Sequence, residues 1–308
     1  MSSVIVTLFE GDYVLGVGAL VNSLFNHGFR GRVYCGHKGP LLFWAKDARE
    51  DGAFRVLRPA EELELRFFPI EHPWHLTNLK PHMMLKVWDE WEPDAEAMFY
   101  FDPDITVKCR WSFFEEWVGY GLPLVADPAI FPMPSDHPFR MAWSRWLTVH
   151  GFQPTRYPNL YFNGGFVGFT SGRRSDLQTW CRLHELMSKA VPLDRMGPVQ
   201  RTELFCMTDQ DAMNMLTMVT PGPLSSMGPE GMDFAPAGVI MSHAAGGAKP
   251  WRKPFLRSAL AGIPPTPADK NWLANVSAPI PVLSKLRVAT LHRQLVLASA
   301  IGRLVRRV

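Results

Sequence analysis

Cysteine is scarce and scattered. Cys35, Cys109, Cys181 and Cys206 stand far apart in 308 residues with no Cys-x-x-Cys pair, so neither a zinc framework nor a disulfide scaffold is expected, and a reducing compartment fits best. Long apolar runs are missing too, which leaves no candidate transmembrane helix. The opening Met1-Ser-Ser-Val-Ile-Val-Thr-Leu-Phe-Glu10 has no basic stretch ahead of a signal-type apolar core and reads as a first strand, giving a cytoplasmic expectation. Internal repeats and low-complexity tracts are absent. Net charge is small, +3, and unevenly placed. From Val282 to Val308 there are Lys285, Arg287, Arg293, Arg303, Arg306 and Arg307 and no acid, so the remainder holds 26 basic and 29 acidic residues, a net of −3. A body of that sign argues against nucleic acid as a partner.

What is present is the composition of a globular chain, 47% apolar and 20% charged, with room for a sizeable core. Short apolar strand candidates (4–8, 32–36, 53–68, 97–101, 122–126) alternate with helical segments (12–26, 41–51, 80–91, 111–118). That order implies right-handed crossovers and a mostly parallel α/β sheet with ligands at the carboxyl ends of the strands. Asp12 is a candidate cap for the first helix. Gly16-Val-Gly18 falls inside that helix, where close packing on the sheet explains it better than phosphate binding.

The chemistry centres on Tyr100-Phe-Asp-Pro-Asp104. Ala97–Phe101 has the aromatic content of a buried strand and ends in two carboxylates, which repel each other and lose solvent unless a cation, most simply a divalent ion, lies between them. Pro103 narrows the bend from which both acids would reach it. A surface turn explains the tripeptide when it is taken alone, and its partners elsewhere shift the balance. Asp127 is a second acid at a strand end, open to the same crevice or to a turn before Pro128. Lys86, on the 80–91 helix, either snorkels to solvent or turns its charge inward. Glu71, His72 and His75, interrupted by Pro73 and Trp74, read as loop residues rather than ligands. Residues 131–159 show little periodicity and are expected to cover a cleft.

Tyr161-Phe-Asn-Gly-Gly165 removes side chains where something must come close, with Asn163 offering a donor and an acceptor at that opening. Thr208-Asp-Gln-Asp211 opens a helix reaching about Val219. Thr208 or Asp209 is its candidate N-cap, and Asp209 and Gln210 would face a hydroxylated substrate if that helix end meets the crevice. A late strand, 238–242, ends in His243-Ala-Ala-Gly-Gly-Ala-Lys249, a combination of imidazole, open backbone and ammonium suited to a metal-bound diphosphate.

This ordered set, over residues 4–255, resembles the family 8 glycosyltransferases: Thr7-Leu-Phe9 with Tyr13, Lys86, Tyr100–Asp104, Tyr161–Gly165, Asp209-Gln-Asp211 with Asn214, and His243-x-x-Gly246-x-x-Lys249. The resemblance implies a GT-A fold over 1–265 with a helical tail over 266–308, and retaining transfer from a nucleotide-sugar, most often a UDP-sugar, to a glycan or glycolipid hydroxyl. It implies that Asp102, Asp104 and His243 hold Mn²⁺ or Mg²⁺, and that Thr7, Phe9 and Tyr13 meet the nucleoside. Lys86, Gly246 and Lys249 would serve the diphosphate, and Asn163, Asp209 and Gln210 would hold the sugar hydroxyls near the anomeric carbon, beside Gly165; Asp127, if it lines the crevice, would meet the same substrate. Gly164 stands where the family commonly has Ser. Nucleotidyl transfer is disfavoured, because Leu8-Phe-Glu-Gly-Asp12 is acidic where a basic triphosphate loop is needed. A binding protein without turnover is disfavoured by the completeness of the set. In the tail, Leu283 to Val305 alternate apolar and basic residues as an amphipathic helix, which either lies on the inner membrane face, packs on the domain or dimerises.

Overall fold

In the computed structural model, which describes residues 1–130, 132–195 and 204–305, the chain begins with β1 (Ser3–Glu10), α1 (Val14–Asn26), β2 (Gly31–Lys38), β3 (Arg49–Asp51), β4 (Phe54–Ala60) and β5 (Leu63–Pro69). Next come α2 (Lys80–Lys86), which continues as a π-type turn over Val87–Trp91, then β6 (Ala97–Phe101), β7 (Ile105–Val107), α3 (Trp111–Tyr120), β8 (Leu122–Val125) and α4 (Pro138–Val149). The remaining elements are β9 (Phe166–Thr170), α5 (Arg174–Met187), α6 (Thr208–Val219), β10 (Leu224–Met227), β11 (Met241–His243), α7 (Phe255–Leu260), α8 (Pro267–Ala274) and α9 (Lys285–Val305).

Seven strands form one sheet in the order β3-β4-β5-β2-β1-β6-β9. The expected α/β sheet is present: β5, β2, β1 and β6 run parallel at its centre, and antiparallel strands close both edges. Central parallel strands lose both faces to helices, which is why β6 is buried at every position. The two-residue period then divides the core. Ile5 and Phe9 join α1, α3 and α9 on one face, while Val4, Val6 and Leu8 join α2, α5 and α6 on the other. Two short pairings lie outside the main sheet, β8 with β10 and β7 with β11.

Helix α1 packs close at Gly16 and Gly18, but against loop and turn residues rather than against the expected sheet. A Cβ on Gly16 would lie 2.2 Å from the Pro103 carbonyl oxygen, and one on Gly18 would lie 2.5 Å from Val282 Cγ2. The helix is thereby seated directly on the Asp-Pro-Asp bend.

Three local expectations are corrected. Residues 41–51 form a 3₁₀ turn (Phe43–Asp47) and then β3, because Phe43 adopts φ +54 and Arg55 draws the Lys46 and Ala48 carbonyls outward. Asp12 pairs with Arg252 and caps nothing; a 3₁₀ turn leads into α1 instead. Within 131–159, of which Phe131 lies outside the described residues, α4 inserts Trp143 and Leu147 into the core and is capped by His137 Nδ1, which accepts from Phe139 N at 3.2 Å. The tail helix α9 packs on the body through Leu291, Leu295, Ala298 and Gly302, the last against Pro264. Among the described residues no helix is long and apolar enough to cross a membrane.

Ala at an exposed helical position ordinarily stabilises relative to Gly. Gly16→Ala should instead cost about 1–3 kcal/mol by overpacking, read as a lower urea midpoint; unchanged stability would contradict this seating of α1.

Candidate metal and donor site

The acidic centre is built by three strand ends. Strand β6 delivers Asp102, the bend turns at Pro103, and Asp104 leads directly into β7. Antiparallel pairing of β7 with β11 sets His243 opposite Ile105, and the Ala244 amide donates to the Asp104 carbonyl at 3.0 Å. Register thus brings an imidazole from far along the chain beside the two acids. His243 Nε2 lies 3.2 Å from Asp104 Oδ1 and 3.9 Å from Asp102 Oδ2, and the three residues can offer ligand atoms all within 4.8 Å of one another. His243 Nδ1 is buried without a hydrogen-bond partner among the described residues, so what Nε2 meets decides the tautomer.

Gly165 leaves the space this cluster occupies. A Cβ there would fall 2.6 Å from His243 Cε1 and 3.0 Å from Asp102 Oδ2. Its carbonyl also accepts the Asp102 amide at 2.7 Å. Gly164 is less crowded, with its nearest neighbour, Asp209 Oδ2, at 3.4 Å from an added Cβ, so no steric demand explains the missing serine.

Two ammonium groups balance the acids. Lys249 Nζ donates to Asp104 Oδ2 at 2.6 Å and to the Ala244 carbonyl at 2.8 Å. Burial disfavours its charge, but Asp104 outweighs burial and raises its pKa. Asp104 itself is pushed upward by burial and, more strongly, downward by His243 and Lys249. The second cation is Lys80, not Lys86. Lys80 Nζ, almost wholly buried, meets Asp102 Oδ1 at 3.1 Å, Asp209 Oδ2 at 2.9 Å and the Gly164 carbonyl at 2.8 Å. Burial would lower its pKa, yet the two carboxylates hold it above the usual lysine value. Lys86 points the other way and pairs with Glu90 at 2.5 Å, because the last turn of α2 faces solvent there.

The 161–165 segment is held by side chains from the turn after β8 and from α6. Asp127 Oδ2 accepts from Asn163 Nδ2 at 2.7 Å and Gln210 Nε2 at 3.0 Å; Gln210 Oε1 accepts the Gly164 amide, and Asn163 Oδ1 accepts the Gly165 amide. Asn214 pairs with both backbone groups of Phe162. Neither Thr208 nor Asp209 caps α6. Asp211 takes that place by accepting from the Cys206 and Met207 amides and from the Tyr161 hydroxyl, which releases Asp209 toward Lys80. Burial pushes the Asp211 carboxyl up to about 7 against those three donors.

On the other side of Lys249, Tyr13 stands edge-on to Trp251 at 5.4 Å, with Lys249 and Arg252 5.7 and 5.3 Å from its ring centre. Gly246 takes φ +66 with open space beside it. Thr7 and Phe9, expected near the nucleoside, are enclosed in the central strand β1, with Phe9 stacked on His37. His72 and His75 bond locally, to the Trp74 amide and to Thr77.

No protein-family model matches the chain, and no curated protein matches it. Among solved structures it is similar to WbbM, a bifunctional glycosyltransferase in its apo form, with a TM-score of 0.57 and 14% identity over 96% of this chain and 52% of that one. The fold is glycosyltransferase-like. The chain spans about half the length of that structure, and the likeness concerns architecture.

Lys80→Met would leave Asp102 and Asp209 without their shared cation. It should cost about 3 kcal/mol, the low end for breaking a buried pair because both acids keep some solvent, whereas Lys86→Met should stay within about 0.5 kcal/mol. Equal effects in chemical denaturation would refute the exchange of roles.

Proposed function

We propose that the protein is a metal-dependent glycosyltransferase that moves a sugar from a nucleotide-sugar, most simply a UDP-sugar, to a glycan or glycolipid hydroxyl with retention of configuration. The reading follows the family 8 resemblance. One observation carries it: Asp102, Asp104 and His243 converge, with Lys249 beside them, at the carboxyl end of the central strands of a glycosyltransferase-like sheet.

The donor set fits a divalent ion. Two carboxylates and an imidazole meet over a glycine that leaves them room, and hard oxygens with one nitrogen suit Mn²⁺ better than Ca²⁺, with Mg²⁺ the alternative. When bound, such an ion supplies Lewis-acid stabilisation of the departing nucleoside diphosphate. The chain's own groups supply the rest. Lys249 exchanges part of its bond to Asp104 for a phosphate oxygen, and the open backbone at Gly246 admits the diphosphate. Tyr13, braced by Trp251, offers the nucleoside a ring edge, while Thr7 and Phe9 floor that side of the sheet.

Asp209 is the carboxylate offered to sugar hydroxyls and to positive charge at the anomeric carbon. Gln210, Asn163 and Asp127 spend their bonds on one another and on the Gly164 and Gly165 amides, so they hold the shape against which the sugar rests. Because Lys80 already claims Asp209, its contribution is electrostatic rather than nucleophilic. The acceptor hydroxyl then attacks from the leaving-group side, passing its proton to the departing phosphate. Four free, scattered cysteines fit a reducing compartment, so the reading places the enzyme in the cytoplasm.

Titration calorimetry should show UDP-sugar binding that needs Mn²⁺ and disappears with chelator. Asp104→Asn should weaken Mn²⁺ binding by more than about a hundredfold, beyond the loss seen for groups one step removed from an ion, while circular dichroism stays unchanged. Donor turnover retained in that variant would overturn the assignment.

A further inference from the structure

A cavity of about 510 Å³ lies away from the acidic centre, where the segment entering α9 folds against its first turns. Pro281, Leu283 and Val288 line it together with Lys285, His292 and Arg293. On α9 the buried residues Leu291, Leu295, Ala298 and Gly302 face the body. Opposite them, Leu286, Arg293, Leu297 and Leu304 recur at helical spacing along one outward line, with Leu286 79% and Leu304 88% exposed. Leu260 and Ile263, at the end of the neighbouring α7, are exposed as well.

The charge is all of one sign. From Lys270 to Val308 the sequence has Lys270, Lys285, Arg287, Arg293, Arg303, Arg306 and Arg307 and not one acid. A second copy of the same face would be repelled by these charges. An anionic surface with hydrocarbon beneath it satisfies both the cations and the exposed leucines.

We propose that the cavity takes the anionic headgroup of a bilayer lipid and that α9 lies in the membrane plane, with Leu286, Leu297 and Leu304 toward the acyl boundary. The cavity and the surface alone carry this, whatever reaction the acidic centre performs.

The test is co-sedimentation of the full chain with sucrose-loaded vesicles of phosphatidylcholine, alone or mixed equally with phosphatidylglycerol. Capture should be selective for the mixed vesicles and should survive inorganic phosphate exchanged for chloride at constant ionic strength. Lys285→Gln and Arg293→Gln should each lower partitioning about fivefold, and Leu297→Ser should lower it as well, with circular dichroism unchanged. Equal capture by both vesicle types, variants that bind like the parent, or release by phosphate would overturn the proposal. So would a dimer in light scattering that the Leu297→Ser change dissociates.

Discussion

Asp102 and Asp104 emerge from the end of a fully buried strand on either side of one proline, and their mutual repulsion is the condition that the surrounding residues answer. Each acid has its own ammonium, Lys80 for the first and Lys249 for the second, and His243 faces both. The cations come from opposite directions. Lys80 rises from the helix layer under one face of the sheet, and Lys249 descends from the loop after β11. Lys80 is also shared with Asp209, so the first acid is tied electrostatically to the start of α6, whereas the second is tied to the loop that carries Gly246. A charge arriving between them, whether metal or phosphate, must redistribute partners in both halves together.

The polar network around residues 161–165 has a different logic. Asn163, Gln210 and Asn214 bond backbone groups of Phe162, Gly164 and Gly165 just before β9, and Asp127 ties the side chains of Asn163 and Gln210 together. Buried backbone donors must be satisfied, and side chains do what a ladder would otherwise do. The result is a rigid, glycine-lined wall whose rigidity comes from polar side chains rather than from regular structure.

Much of this was legible in the sequence, for identifiable reasons. Strand β6 and its two acids stood out because an aromatic run that ends in paired carboxylates sets charge against burial within two residues, and α6 was bounded correctly by its polar start and apolar spacing. Lys80 was not legible. It occupies the first turn of a helix, where the dipole disfavours a cation, and only the acids brought over it by the fold make that position favourable. That mismatch was the available signal, while Lys86 drew attention through its place on the same helix and through the resemblance. Likewise, Asp211 rather than Thr208 or Asp209 satisfies the amides before α6, a choice set by Tyr161 from another element. Helix α4 was hidden because its inward face consists of little more than Arg140, Trp143 and Leu147.

Helix α1 joins regions that sequence separation would keep apart. Its Gly16 abuts Pro103 and Trp251, its Gly18 abuts Val282 and Trp44, and its Asn22 donates to the Asn275 and Ile280 carbonyls and accepts the Ile280 amide. Evolutionary drift along this helix is therefore constrained at each of those contacts at once, and a change tolerated beside the bend must also be tolerated near the start of α9. The outward line of α9 carries no such double obligation. Descendant sequences should accordingly preserve the small residues of α1 long after the identities along the outer rim of α9 have been exchanged.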